Sequence, residues 1–538
     1  MPPVPRPSPL PATAALAAHA GGLRWYLILT AALCGALVMV IEVLGSRVIG
    51  PFFGVSLFVW TSLITVTLVA LAAGYAAGGW LADRKSSPDY LYSIILAAGL
   101  LTAATPLFKA AALKACLPLG LRFGSLASAF LLFGPALFLL GCVSPYLVRI
   151  AAREMKNIGR TVGNLYAIST AGSFAGTLAT GFFLIAYLGV NRIFVLAGFL
   201  LMALSAGYFV LFRRQWAVLA LLVLPFLLAP PERVTAKVLA DGTRVQLTAQ
   251  HDSFYGDLRV VDYAGPQLHT RELLIDGLVQ GGIDLANSQS VYEYPYLMQF
   301  LPYALNPGGR NCLVVGLGTG IVPSWYAAQG IHTEVVDIDP KVASLARQHF
   351  GFDRNITVHV EDARYFLNRS TQRYDYVMLD VFNGDTTPGH VLSLEAMRLL
   401  KARMTPNGVL AINLMGTLGE RGFMTASVIK TVQAVFGQVQ THPVFATDAP
   451  QASGNLVIIA YDGQARTLRA EQLAAFPVHP LAATGVRQGL QNTYRFPAGT
   501  AAMLLTDDYN PIDFYDLWLK EKVRRTILET TDWDILLG

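Results

Sequence analysis

Charge is scarce in this 538-residue chain. Lys, Arg, Asp and Glu make up 14% of it, against 54% hydrophobic residues. Soluble globular proteins carry about 25% charged residues, so a wholly soluble chain is excluded and membrane spans are expected. Cysteine is also rare. Cys34, Cys116, Cys142 and Cys312 are scattered through apolar segments. Without metal-ligand spacing or a pairing pattern they exclude a zinc framework and a disulfide scaffold, and no metal site is expected. The net charge of +5 is small for this length. Its basic residues fall between apolar runs, at Arg84-Lys85, Arg149 to Arg160 and Arg213-Arg214. That placement is a topology signal and not a nucleic-acid patch. The apolar run after Arg24 lacks a cleavage site, so it reads as a first transmembrane helix and not as a removed signal peptide.

What is present divides into two halves at Pro230-Pro231-Glu232-Arg233. Residues 1–24 are Pro/Ala-rich and read as a disordered leader. Residues 25–230 read as a helical membrane domain, with spans near 25–48, 56–82, 90–108, 124–148, 162–188 and 191–212. A seventh run, 216–229, has about 14 residues and contains Pro225. A span needs about 20 apolar residues, so this run is short, tilted or re-entrant. Gly74 with Gly78, and Gly172 with Gly176, have the four-residue spacing that lets helices approach closely. Glu42 lies inside the first span, where an acid must face protein, water or a partner. Arg47 is one candidate partner, and a proton or cation site is the other reading. "GYAAGGWLADRK" (Gly74 to Lys85) resembles the loop motif of major facilitator transporters. It occurs once and no two-fold repeat of spans accompanies it.

The second half has soluble composition. Residues 231–285 read as a linker and a small β-hairpin subdomain, from alternation in "TRVQLTAQ", "GDLRVVDY" and "RELLIDG". Residues 286–538 read as strand–loop–helix repeats, hence an α/β Rossmann-like domain with a mostly parallel sheet. "NCLVVGLGTGIVPSWYAAQG" is a buried strand, a turn with Gly316, Gly318 and Gly320, and a helix. "TEVVDID" follows, ending in Asp337 and Asp339. An acid at the end of the second strand accepts ribose hydroxyls, which leaves dinucleotides and S-adenosyl nucleosides as ligand classes. "ITVHVEDARYFL" is a third strand ending in Glu361-Asp362-Ala363. Asp362 there caps a helix, accepts from an adenine amino group, or both.

The order of these segments from about 250 to 515 resembles the spermidine synthase (polyamine aminopropyltransferase) family. "LLIDGLVQ" is similar to its LxLDGxxQ segment and "VYEYPYL" to its Tyr-His-Glu segment. "VVGLGTG" stands where the family has a GGGDG turn, "VVDIDP" where it has VEID. "VEDARYFL" is similar to its DDG/DA segment and "YDYVMLDVFNGD" to its YDVIIxDxxDP segment. In the first half, "IEVLGSRVIGPFFG" and "GNLYAISTAGSFAGTLATG" resemble the family's membrane-embedded branch.

The resemblance implies a membrane-anchored enzyme. It would move an aminopropyl group from decarboxylated S-adenosylmethionine to putrescine, releasing spermidine and methylthioadenosine. The adenosyl compound would be a co-substrate, with no permanently bound cofactor. The nucleoside would be held by Gln280, Gly316, Gly318, Gly320, Asp337 (ribose), Asp362 (adenine) and Ala363. The amine would meet Tyr292, Asp380, Asn383, Asp507 and Asp508, the last two in "LLTDDYNPID". Asp380 and Asp385 would be the catalytic acids. The implied setting is a bacterial-type inner membrane with a cytoplasmic soluble half, a homodimer, and no nucleic-acid partner.

Two positions depart from the family. Its second acid, in Asp-x-x-Asp, is Asn383 here, with Asp385 two residues further on. The acid of its GGGDG turn is Thr319. S-adenosylmethionine itself tolerates a neutral residue at 319 better, so methyl transfer is the alternative reaction. His390, after Pro388-Gly389, reads as a loop histidine, with a base or cation ligand as the other reading. A non-catalytic nucleoside or polyamine sensor, or a transporter coupled to the membrane half, is a third hypothesis.

Overall fold

The computed structural model describes residues 11–54, 57–152, 158–227, 235–382, 388–447, 452–468 and 476–530. The chain divides into two compact units, residues 1–53 with 57–232, and residues 54–56 with 233–538.

The first unit is helical: α1 (Pro11–Phe53), α2 (Leu57–Arg84), α3 (Pro88–Cys116), α4 (Gly120–Ala152), α5 (Ile158–Ala179) and α6 (Val190–Arg213). The first helix starts at Pro11, inside the leader read as disordered, because the Ala-rich stretch 12–20 favours helix. Five described helical stretches are long and apolar enough to cross a bilayer, the longest covering the 64 residues Pro88–Ala151. A straight helix of that length would be about 96 Å long, far more than the ~30 Å of hydrocarbon. A 3-10 turn at Leu117–Leu119, followed by Gly120 at φ +75°, breaks it into α3 and α4, which pack on each other. With that break, six arms are long enough to cross. The doubtful seventh run forms only a short apolar helix, Trp216–Phe226, too short for a bilayer.

Small residues set the packing. Gly74 and Gly78 of α2 lie on the backbone of Gly141 and Cys142 in α4. Gly172 and Gly176 of α5 lie on the backbone of Ala32 and Ala36 in α1. A Cβ at any of these four would overlap main-chain atoms. Charges collect where α2, α4 and α6 end and α3 begins. Arg213 forms a 2.6 Å ion pair with Asp89, and Arg149 lies 3.4 Å from Asp83.

The second unit holds two sheets. In place of the small hairpin expected, a five-stranded antiparallel meander forms from β1 (Ala236–Val238), β2 (Arg244–Asp252), β3 (Asp257–Ala264), β4 (His269–Ile275) and β5 (Leu278–Asp284). The extra pairing comes from β5. Asp276 (φ +49°) and Gly277 (φ +77°) make a two-residue turn, and Asp-Gly is the pair such hairpin turns favour. "LLIDGLVQ" is thus a hairpin that presents Gln280 just beyond its turn. The helix expected over "VYEYPYLMQFLPYAL" begins later, as α7 (Tyr294–Leu305).

The larger sheet has strands β6 (Asn311–Val315), β7 (His332–Asp337), β8 (Thr357–Val360), β9 (Tyr374–Leu379), β10 (Met404–Thr417), β11 (Gln438–Pro443) and β12 (Ser453–Tyr461). Their order is β11-β12-β10-β9-β6-β7-β8. The five strands β6 to β10 run parallel, and β12 is antiparallel to both its neighbours. Val314 faces one buried core while Val315 and Leu379 face the other. Both faces are therefore covered, which explains near-continuous apolar strands. The order reverses between β6 and β9, and open α/β sheets bind ligands outside the carboxyl ends of strands at that point. The sheet is thus mixed, with five parallel strands and the antiparallel pairings of β12 at one edge.

Candidate active site

A cavity of about 470 Å³ opens at that reversal. The ends of four neighbouring strands build it. After β6 comes the glycine turn. Gly316 has φ +91°, and a Cβ there would strike the Asp380 carbonyl. The Asp380 amide in turn donates to the Val315 carbonyl at 2.8 Å. The first glycine of the turn is therefore dictated by the close approach of the β9 end. Gly318 lines the cavity as well. Gly320 does not. It caps the next helix, α8 (Ile321–Ala328), at φ +81° and lies against Phe352.

Asp337, at the end of β7, accepts from the amides of Leu317 and Asp339, both at 2.8 Å. It thereby ties the glycine turn to the second strand. Burial pushes its pKa up to about 6, with those two amide bonds opposing the shift. Asp339 caps α9 (Pro340–His349) by accepting from the Lys341 amide. Asp362 caps α10 (Ala363–Arg369), accepting from Arg364 and Tyr365 at 2.9 and 3.0 Å. It also lines the cavity with Ala363, so capping and exposure to ligand coincide.

Asp380 follows β9 and is half-buried, and desolvation of its carboxyl pushes its pKa up to about 6. Asn413 of β10 donates to its Oδ1 at 2.8 Å, and Asn455 of β12 donates to the Asn413 Oδ1 at 2.9 Å. This amide relay runs across three strands and fixes the carboxyl. Asn413 was not singled out from the sequence, although a lone Asn inside "VLAINLMG" is a visible signal. A second residue missed is Tyr294. Its hydroxyl donates to the Gln280 carbonyl at 3.0 Å, and burial followed by the Asp380 charge drives its pKa far up. Tyr255, in the β2–β3 turn, lines the cavity and was missed too.

Other expected residues fall elsewhere. Gln280 lines the cavity. Tyr292 does not: its hydroxyl donates to Glu272 at 2.6 Å, within the five-stranded sheet. The loop "LLTDDYNPID" contributes through an amide and not through its acids. Asn510 donates to the Gly389 carbonyl at 2.7 Å and so anchors the Pro388–His390 segment that lines the cavity. Asp507 is instead ion-paired with Arg364 at 2.6 Å, and Asp508 is exposed. His390 does line the cavity, with Nε2 3.4 Å from Asp362. Thr319 is buried against Gly281, outside the cavity lining. Asn383 and Asp385 lie outside the described residues.

One property unites the lining. Asp337, Asp339, Glu361, Asp362 and Asp380 give it five carboxyl groups, and no Lys or Arg is among the described residues that line it. Glu361 is partly offset by its ion pair with Arg369. Among the described residues no group of three or more His, Cys, Asp or Glu is arranged to hold a metal ion.

The spermine/spermidine synthase domain family matches residues 273–470. A polyamine aminopropyltransferase of Vibrio vulnificus is 32% identical over 231 residues, which cover 40% of this chain and 74% of that protein. The chain belongs to the polyamine aminopropyltransferase family. A member from Mycobacterium tuberculosis is 27% identical over 389 residues, covering 64% of this chain and 73% of its own length. That share exceeds what residues 233–538 make up, so the likeness reaches into the helical unit. An N-terminal histidine N-methyltransferase of Emericella nidulans is 38% identical over 133 residues, but the match spans only 24% of that protein. The chain thus joins an aminopropyltransferase-like domain to several long apolar helices.

Proposed function

We propose that the protein transfers the aminopropyl group of decarboxylated S-adenosylmethionine to putrescine, giving spermidine and methylthioadenosine. The charge of the cavity carries this reading. The donor is a sulfonium cation and the acceptor a diammonium, and both suit a site lined by carboxyls with no Lys or Arg among the described residues that line it. A dinucleotide would bring a pyrophosphate into the same field and be repelled.

In this reading Asp337 accepts from the ribose hydroxyls and Asp362 from the adenine amino group. Gly316 and Gly318 let the backbone approach the donor, beside Gln280 and Ala363. Asp380 orients the acceptor amine. The amine must be neutral to attack, and an alkylammonium has a pKa near 10. Asp380 takes the proton that the nitrogen sheds. A carboxyl with a pKa of about 6 is a stronger proton acceptor than an ordinary aspartate. The nitrogen lone pair then forms the new C–N bond at the carbon next to sulfur. The C–S bond breaks, and its electron pair stays on the neutral thioether that leaves. Asp385 is proposed as the second acid, standing in for the residue that is Asn383 here.

The soluble half is proposed to face the cytoplasm. Both adenosyl donors are intracellular, and six crossings return the chain to the side of Arg84-Lys85 and Arg213-Arg214, which the positive-inside rule puts within the cell.

Methyl transfer is the second reading, favoured by the E. nidulans relative. The five carboxyls oppose it, since S-adenosylmethionine keeps a carboxylate of its own. Incubating the purified chain with putrescine and each donor separates the readings by mass spectrometry. Spermidine from the decarboxylated donor supports the proposal; a methylated product from S-adenosylmethionine replaces it. Methylthioadenosine binding without turnover of either donor points to a sensor.

A further inference from the structure

The helical unit contains a second cavity, of about 250 Å³, enclosed by α1, α2, α4 and α5. Its polar lining is Glu42, Thr67, Tyr75, Ser144, Ser169 and Ser173. Glu42 takes no hydrogen bond or ion pair from any described residue, so of the two readings of this acid the pairing with Arg47 does not occupy it. Ser173 spends its proton on the Gly35 carbonyl at 3.0 Å, which leaves its oxygen free to accept. The remaining walls are aliphatic, with Val38, Leu71 and Val143 among them. Ile64 and Leu68 stand at the mouth, 46% and 63% exposed on the outer face of the helices.

We infer that this cavity binds a primary alkylammonium cation, with Glu42 as its counter-ion. The reading does not depend on the reaction proposed for the soluble half. A carboxylate at hydrocarbon depth is costly to insert without a partner, and a bound cation offsets that cost. An ammonium carries three N–H donors and no acceptor. Glu42 accepts one, and the hydroxyl oxygens of the lining offer further acceptors. The aliphatic walls and the mouth at Leu68 suit a hydrocarbon chain on the nitrogen. A bare divalent ion fits poorly, because hard cations gather six or more oxygen ligands and several carboxylates, whereas Glu42 is the only acid among the described residues that line the cavity.

The test uses the full chain in lipid nanodiscs and radiolabelled n-butylamine at equilibrium. Wild type is expected to show a saturable site that persists in Asp380→Asn, whatever the soluble cavity binds besides. Glu42→Gln should weaken that site at least tenfold, and Glu42→Asp should recover part of it. Leu68→Trp, a change at an exposed position at the mouth, should weaken it several-fold without touching charge. Unchanged elution and thermal unfolding of each variant exclude misfolding as the cause. Equal binding by Glu42→Gln and wild type overturns the inference. So does loss of all saturable binding in Asp380→Asn, or displacement by sodium chloride as effective as by unlabelled amine.

Discussion

Glu42 and Asp380 each line a cavity, one in each half of the chain, and they are held in opposite ways. Asp380 receives a hydrogen bond from Asn413, itself steadied by Asn455, so three strands determine where it points. Glu42 receives none from any described residue and borders an open cavity. An acid that must act on a particular atom is fixed by its surroundings before the substrate arrives. An acid with no protein partner is left for a ligand to complete. The halves differ in their glycines too. Gly316 serves a strained turn beside a ligand cavity, whereas Gly172 serves helix packing.

The largest effect is expected from Asp380→Asn. An amide cannot take the proton, so turnover of the decarboxylated donor should fall about 10²–10⁴-fold, measured as spermidine formed. Methylthioadenosine affinity should change little. Stability should move the other way. The folded pKa of about 6 lies above the ordinary 3.8, so the carboxyl costs stability increasingly as pH rises through that interval and in full above it. The variant should therefore unfold at a higher temperature than wild type at pH 8, by no more than ~3 kcal/mol, and show no such gain at pH 3.5. A fall in stability at pH 8 would mean that the carboxyl is paired and not merely buried.

Gly316→Ala comes next. The new Cβ meets the Asp380 carbonyl, at a φ that L-residues rarely adopt. Strain of about 1–3 kcal/mol should appear as a ~10–100-fold loss of methylthioadenosine affinity by titration calorimetry. In the other half, Gly172→Ala should destabilise the chain by about 1–3 kcal/mol through overpacking on Ala32. Gly163→Ala, with nothing within 4 Å of its Cβ position, should be neutral or slightly stabilising. Thermal unfolding in detergent reads both. Equal effects at 172 and 163 would remove the distinction between packing glycines and idle ones.

Much of this contrast can be read from local sequence. Apolar runs of bilayer length, the glycine spacings, the strand-turn-helix at Gly316 and the acids at strand ends are all encoded within a few residues. What could not be read depends on partners distant in the chain. Asn413 matters only because β10 pairs with β9, and Asn510 only because its loop returns to Gly389. Tyr292 was read by its place in a motif, yet Glu272, twenty residues earlier, decides where its hydroxyl goes. The hairpin became a five-stranded sheet because β5, with adjacent glycines at 281 and 282, shows weak alternation and is recognised only from its partner β4.

The smallest effect tests the relay that sets the two acids apart. Asn413 contacts Asp380 and is buried behind it, so it positions that carboxyl without forming part of the cavity lining. Its hydrogen bond favours the ionised form and restrains a pKa that burial has already raised to about 6. Asn413→Ala should let that pKa climb further. The acid limb of the pH–rate profile should then move to higher pH. The loss of kcat/KM should be largest, about tenfold, near pH 6 to 7, and should shrink above pH 8, where Asp380 is ionised in both proteins. A uniform loss at every pH would mean that Asn413 only fills space. A shift of the limb without loss at high pH would mean that it tunes the proton acceptor, a control for which Glu42 has no counterpart.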